Sequence, residues 1–168
     1  MPDPISRVRE IYFVAVEKEQ AVEAGIAAIR EAEDLGILPE GSEDQGVLLA
    51  YHGAMITLRA KHAFWPPARL RHLNDGLAIL DRAVEAHPTN PEIRYLRLLS
   101  CFYLPGILGR GESVQGDFAA LANLLPAAID DFPPDLYSMM VGFVLENGAV
   151  QKPERQLLEE ALVSAADG

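Results

Sequence analysis

Arg94 and Arg97 stand three residues apart in the stretch "PEIRYLRLL". On a helix that spacing puts them on one face, a turn apart. A guanidinium is a planar fork that grips a carboxylate or phosphate through two parallel hydrogen bonds, so two on one face make a candidate anion clamp. The competing reading is structural: the pair runs beside the apolar stripe of Ile93 and Leu96, where arginine stems cover core-edge surface. A second concentration lies in "KHAFWPP", with Lys61, His62, Phe64 and Trp65. Trp65 is the one tryptophan of the chain, and it reads either as a stacking platform or as a plug packed into a helical hairpin. Lys61, His62, Trp65, Arg94 and Arg97 are therefore the residues from which a ligand or partner site would be assembled.

The remaining reactive residue types show no such arrangement. Histidines 52, 62, 72 and 87 contain no i, i+3 or i, i+4 pair and no HExxH, so they lack metal-ligand spacing. The single Cys101 cannot form an internal disulfide, which suits a reducing compartment. Within "LLSCFYL" it reads as a small buried apolar residue rather than a reactive thiol. "GILGRGES" is glycine-rich and holds an arginine, but no strand precedes it and no GK[ST] follows, so it reads as a mobile loop and not a phosphate cradle. Asp130 and Asp131 form a carboxylate pair at a helix end before "FPPD", where solvation explains them. There is no nucleophile elbow and no GxGxxG. No catalytic residue, metal or cofactor is expected.

Charge narrows the partners. The chain has 168 residues and a net charge of −11, which argues against a nucleic-acid binder. The charge is segregated: residues 1–44 hold 4 Lys/Arg and 11 Asp/Glu, residues 45–111 hold 8 and 4, and residues 112–168 hold 2 and 10. No acidic residue falls between Asp44 and Asp75, while Arg59, Lys61, Arg69 and Arg71 do. The basic centre is either a docking patch for an anionic group or the internal counterpart of the acidic ends. The first residues lack a basic patch leading into an apolar run, and "LLSCFYLPGILG" is too short to span a bilayer. These features predict a cytoplasmic protein without a membrane partner.

Nearly every segment has helical period, and none alternates as a strand would. Asp3 caps a first helix with Pro4 at its first position and a stripe of Ile5, Val8, Tyr12 and Ala15. "EKEQ" at 17–20 separates it from a second helix carrying Val22, Ile26 and Ile29, which stops near Gly36. Ser42 with Gln45 is a capping box for a third helix burying Val47, Tyr51, Ala54, Met55 and Leu58, ended by "FWPP". The fourth, from about Pro67, has a stripe of Leu70, Leu73, Leu77, Leu80, Val84 and His87. Pro88 ends it; Asn90 and Pro91 then provide the cap and first position of a fifth helix, which buries Ile93, Leu96, Leu99 and Phe102 or Tyr103. A sixth follows from about Ser113 with Val114, Phe118, Leu121, Leu125 and Ala128; a seventh with Leu136, Met139, Met140 and Phe143; an eighth with Leu157, Leu158, Ala161 and Leu162. The prediction is one all-α domain over residues 1–168, built of about eight antiparallel helices without a sheet.

A repeat is partly visible. Gly76, Leu80, Ala83 and Pro88 lie at the offsets small, large, Ala, helix-ending Pro; Gly53, with Leu49 four residues earlier, fills the same roles in the preceding helix. Over residues 49–91 this resembles a divergent tetratricopeptide repeat, similar to small bacterial proteins of that type. Gly53 and Gly76 are more widely separated than in a standard unit, with the excess around "AKHAFWPPARL", and Leu98 stands where the next small residue is due. The resemblance implies stacked helical hairpins that bind peptides or partner proteins on a helical face. If the hairpins stack with the usual sense, Lys61 and Arg94 face one groove. The reading is thus a binding or scaffold module for a protein or peptide partner, acidic where it meets the basic centre. The alternative is a small anion or metabolite held in an enclosed pocket by Lys61, Arg94 and Arg97, and a third is an enzyme without a recognisable motif.

Overall fold

The computed structural model describes residues 3–166, which form eight α-helices and no strand. Contacts gather into two compact units, the first ending at Pro88 and the second starting at Thr89. The first holds α1 (Pro4–Ala15), α2 (Glu19–Asp34), α3 (Glu43–His62) and α4 (Pro66–Ala86). The second holds α5 (Pro91–Phe102), α6 (Gly111–Leu124), α7 (Pro134–Asn147) and α8 (Lys152–Ala166), with 3-10 turns at Gly106–Leu108 and Leu125–Ala127. Successive helices pair as hairpins: α1 with α2, α3 with α4, α5 with α6, α7 with α8.

The helix ends follow local chemistry. The Asp3 carboxylate accepts the Ser6 N–H at 2.9 Å, ahead of Pro4 at the first helical position. Helix α2 closes in a Schellman turn: Gly36, at φ +58°, donates to Glu33 O and Ile37 to Ala32 O, a left-handed residue that glycine adopts without steric cost. Ser42 Oγ accepts the Gln45 N–H at 3.2 Å; the Gln45 side chain returns to the Gly41 N–H at 2.7 Å, one residue short of a reciprocal box. Asn90 Oδ1 accepts the Ile93 N–H at 3.1 Å, and Pro91 opens α5 as its sequence predicts.

In the first unit α3 is the central helix. It packs on α1, α2 and most extensively α4, and 12 of its 20 residues are buried, so it has little free face. The α3–α4 contact is set by two glycines. A Cβ on Gly53 would lie 2.9 Å from Gly76 O and a Cβ on Gly76 would lie 2.7 Å from Gly53 O, so the two backbones touch where side chains would hold them apart. Fully buried Leu80 fills the groove beside Gly53. The extra residues between the glycines are helix: α3 runs to His62 and α4 starts at Pro66, leaving only 63–65 as a turn. Leu77, Leu80 and Val84 of the predicted α4 stripe are buried, but Leu70 is 50 % exposed. Within its unit α4 packs mainly on α3, and a single neighbour covers a narrower stripe than the sequence offers.

In the second unit α6 is the hub, packing on α5, α7 and α8. Phe102, Phe118 and Phe143 cluster with centroid separations of 5.2–6.0 Å, and Tyr95 joins edge-on at 5.9 Å from Phe143. Tyr137 Oη donates to Leu125 O at 2.7 Å, tying α7 to the turn that ends α6. Leu121, Leu125, Leu136, Met140 and Leu158 are buried, whereas Tyr103, Met139 and Leu157 are exposed. Phe102 rather than Tyr103 therefore turns inward at the end of α5.

Candidate interaction surface

Lys61, His62 and Trp65 come together at one end of the first unit. The last turn of α3 lies beside the last turn of α1. Lys61 Nζ donates to Val16 O at 2.5 Å, and His62 Nε2 donates to Ala15 O at 3.1 Å, which fixes the Nε2–H tautomer for that bond. The carbonyls at the end of a helix have no partner within it and carry the negative end of its dipole, so an ammonium and an imidazole N–H there are favourable. These contacts hold the α1–α2 turn against the end of the α3–α4 hairpin.

Beyond that junction the chain presents apolar side chains to solvent. Phe64 is 96 % exposed and Trp65 65 %, followed by exposed Pro66, Pro67 and half-exposed Leu70; Val14 of the neighbouring helix is also half exposed. Trp65 is therefore not a hairpin plug. Phe64 and Trp65 alone offer about 300 Å² of aromatic surface, in the range where a patch on a single chain is often functional. Exposed Lys61 precedes it on α3 and exposed Arg69 and Arg71 follow it on opposite sides of α4, while Lys18, between Glu17 and Glu19, is exposed in the α1–α2 turn. Two prolines at the start of α4 limit the conformations of this turn.

Arg94 and Arg97 belong to the second unit, where both meet Asp117 of α6. Arg97 grips the carboxylate with Nε to Oδ2 at 2.8 Å and Nη2 to Oδ1 at 2.7 Å; Arg94 Nη1 adds a third bond to Oδ1 at 3.0 Å. Asp117 is fully buried, and the two arginines are 12–18 % exposed. The pair reaches past the apolar face of α5 to an acid on the apolar face of α6 and so clamps the hairpin. Cys101, a turn beyond Arg97, is buried as its sequence predicts. Burial pushes its thiol above the usual range, against a hydrogen bond from Arg110 that pulls it down.

Asp117 carries the cluster and is the residue that the motif search missed. The signal was present: Asp117 and Leu121 are four apart, so the acid lies on the buried stripe of α6 and needs a cationic partner. Arg59, also of the basic centre, takes Glu23 of α2 through Nε and Nη2 at 2.7 and 2.8 Å. This lowers the Glu23 pKa, the Arg59 hydrogen bond being the largest cause.

A cleft of about 220 Å³ lies between α1 and α2, floored by Ala28, Ala32, Leu35 and Ile37, with Asp3, Arg7 and Glu31 at its edge. Asp3 is engaged as a cap and Arg7 pairs with Glu31 at 2.9 Å. Lys61, Arg94 and Arg97 do not line it. Among the described residues no group of three or more His, Cys, Asp or Glu is arranged to hold a metal ion, and no helix is long and apolar enough to cross a membrane. Compared with known protein families, with curated proteins and with solved structures, the chain has no match in any of them.

Proposed function

We propose that this protein is a non-catalytic binding module of tetratricopeptide-like build that engages an acidic protein segment through the aromatic end of its α3–α4 hairpin. The observation that carries the reading is the exposure of Phe64 and Trp65 in a stretch of chain whose exposed charges, Lys61, Arg69 and Arg71, are all basic. An aromatic anchor flanked along the chain by cations suits a partner with an apolar recess and carboxylates at its rim. The close approach of Gly53 and Gly76 supports the tetratricopeptide-like pairing of α3 with α4. Arg94 and Arg97 enter this reading as the clamp on Asp117 and not as ligand groups.

The test is affinity capture with the intact chain and with a Phe64→Ser/Trp65→Ser variant, at low and high salt. Both positions are exposed, so the variant keeps its helical circular dichroism and its melting temperature. The expected result is a protein retained by the parent, released by salt and absent from the variant. Retention of the same proteins by both chains refutes the proposal.

A further inference from the structure

We propose that the acidic partner of this aromatic end is a second copy of the same chain, which offers helix α8; the inference rests on the binding role just given to Phe64 and Trp65. Helix α8 is complementary in both respects. Its buried contact is Leu158, while Leu157 and Val163 are 52 % and 62 % exposed. Leu157, Glu160 and Val163 recur at three-residue spacing and share the outward side, with exposed Glu159 beside them. Glu159 is held only loosely, by Arg155 at 3.9 Å. Helix α8 holds Glu154, Glu159 and Glu160 against Lys152 and Arg155, and Glu159 and Glu160 are the exposed acids, whereas residues 45–74 carry none that is acidic. One copy thus presents aromatic and basic groups on one surface, and aliphatic and acidic groups on another.

These are two different surfaces, so each contact joins unlike patches. Two copies meeting this way form a reciprocal dimer, or else the chain of contacts stays open and grows. The net charge of −11 opposes association at long range. At physiological salt, repulsion beyond about 8–10 Å is screened, and the local pairing of Arg69 or Arg71, on opposite sides of α4, with Glu159 and Glu160 decides the contact.

Sedimentation velocity on the full chain, from about 1 to about 200 µM and in about 0.05 and 0.5 M salt, tests this. Association that rises with concentration and weakens with salt is expected. Arg69→Glu/Arg71→Glu and Glu159→Lys/Glu160→Lys should each weaken it about tenfold, and mixing the two variants should restore it. Trp65→Ala should weaken it by at least about tenfold, as loss of an aromatic anchor does. Glu159→Gln/Glu160→Gln provides the milder change if the reversal disturbs α8, and should still weaken association. A chain that stays monomeric throughout, associates independently of these residues, or is not restored by mixing overturns the inference. Trp65 is the only tryptophan, so its emission reports directly on this end. A blue shift with phosphatidylglycerol-containing vesicles in a chain that remains monomeric would assign the surface to lipid and overturn the inference too. A monomeric chain whose Phe64→Ser/Trp65→Ser variant loses a captured protein overturns only the self-association. Unchanged capture by that variant overturns the binding role on which the inference rests.

Discussion

Asp117 is the residue whose loss should be felt most. Its carboxylate is completely buried and accepts three charge-assisted hydrogen bonds of 2.7–3.0 Å from two arginines that are themselves mostly buried. Replacing it with alanine keeps both guanidiniums in place and removes the anion they were desolvated to meet. Breaking a buried ion pair from one side typically costs about 3–5 kcal/mol, more than the pair contributes against an apolar core. For a chain of this length each kcal/mol moves the melting temperature by about 2–4 °C, so Asp117→Ala should melt about 6–20 °C lower. Urea unfolding followed by far-UV circular dichroism should show the midpoint fall with little change in slope. Arg97→Ala, which removes two of the bonds, should cost more than Arg94→Ala, which removes one. The triple change Arg94→Met/Arg97→Met/Asp117→Leu should recover most of the loss, because it leaves no uncompensated charge. A cost below about 1 kcal/mol for Asp117→Ala would mean that the guanidiniums turn to water when the acid goes, and the clamp would then contribute little to the hairpin.

Other substitutions test the remaining supports of the fold. Gly53→Ala should cost about 1–3 kcal/mol or more, because its Cβ would meet Gly76 O at 2.9 Å and the main chain there cannot rotate away; urea midpoints measure it, and a neutral result removes the close approach. Asn90→Ala should cost about 1 kcal/mol through loss of the bond to the Ile93 N–H, and Pro91→Ala should cost less, since proline at the first helical position mainly pre-organises the chain; melting curves that rank them the other way contradict the cap. Burial pushes the Tyr95 hydroxyl up to about 12, from a usual value of 10.0. The folded state therefore holds its proton longer than the unfolded chain does, and the stability gained below about pH 10 is lost as pH rises toward 12. Tyr95→Phe should flatten that alkaline fall in melting temperature.

The helices were legible because their ends are specified locally. Asp3, Ser42 and Asn90 each bond the N–H three residues on, and a one-dimensional string records such pairings in full. Gly53 and Gly76 were legible for a related reason: each lies on a recognisable stripe, and their contact needed only the assumption that successive helices pair. Apolar stripes were less informative about burial. Leu70 and Leu157 fall on helical period, yet each is half exposed, because period shows which face is apolar and not whether a neighbour reaches it. The excess between the two glycines looked like an insertion, since a repeat has a fixed length on paper. Here α3 and α4 are instead both prolonged at the loop end of the hairpin, which continues their stripes and moves the loop outward.

The candidate site was legible in its cations and hidden in its anion. Charge segregation along the chain already paired a basic centre with acidic ends, and Glu23 on Arg59 and Asp117 on Arg94 and Arg97 realise that pairing inside each unit. What composition could not supply was the choice of acid. Residues 112–168 hold ten, and most sit where water solvates them. Asp117 stands one turn before Leu121 on the inward side of α6, a spacing that Glu154 shares with Leu158 on α8, and among the described acids of the segment it is the buried one. A carboxylate there is tolerable only if a cation comes from the facing helix, and α5, the hairpin partner, carries two on one face. Read together, an acid on the apolar stripe of one helix and an i, i+3 arginine pair beside the stripe of the preceding one define a clamp that neither helix reveals separately. The same reasoning separates Trp65 from that cluster. No stripe claims it, it stands between Phe64 and two prolines, and its exposure is the observation on which the proposed recognition by another surface rests.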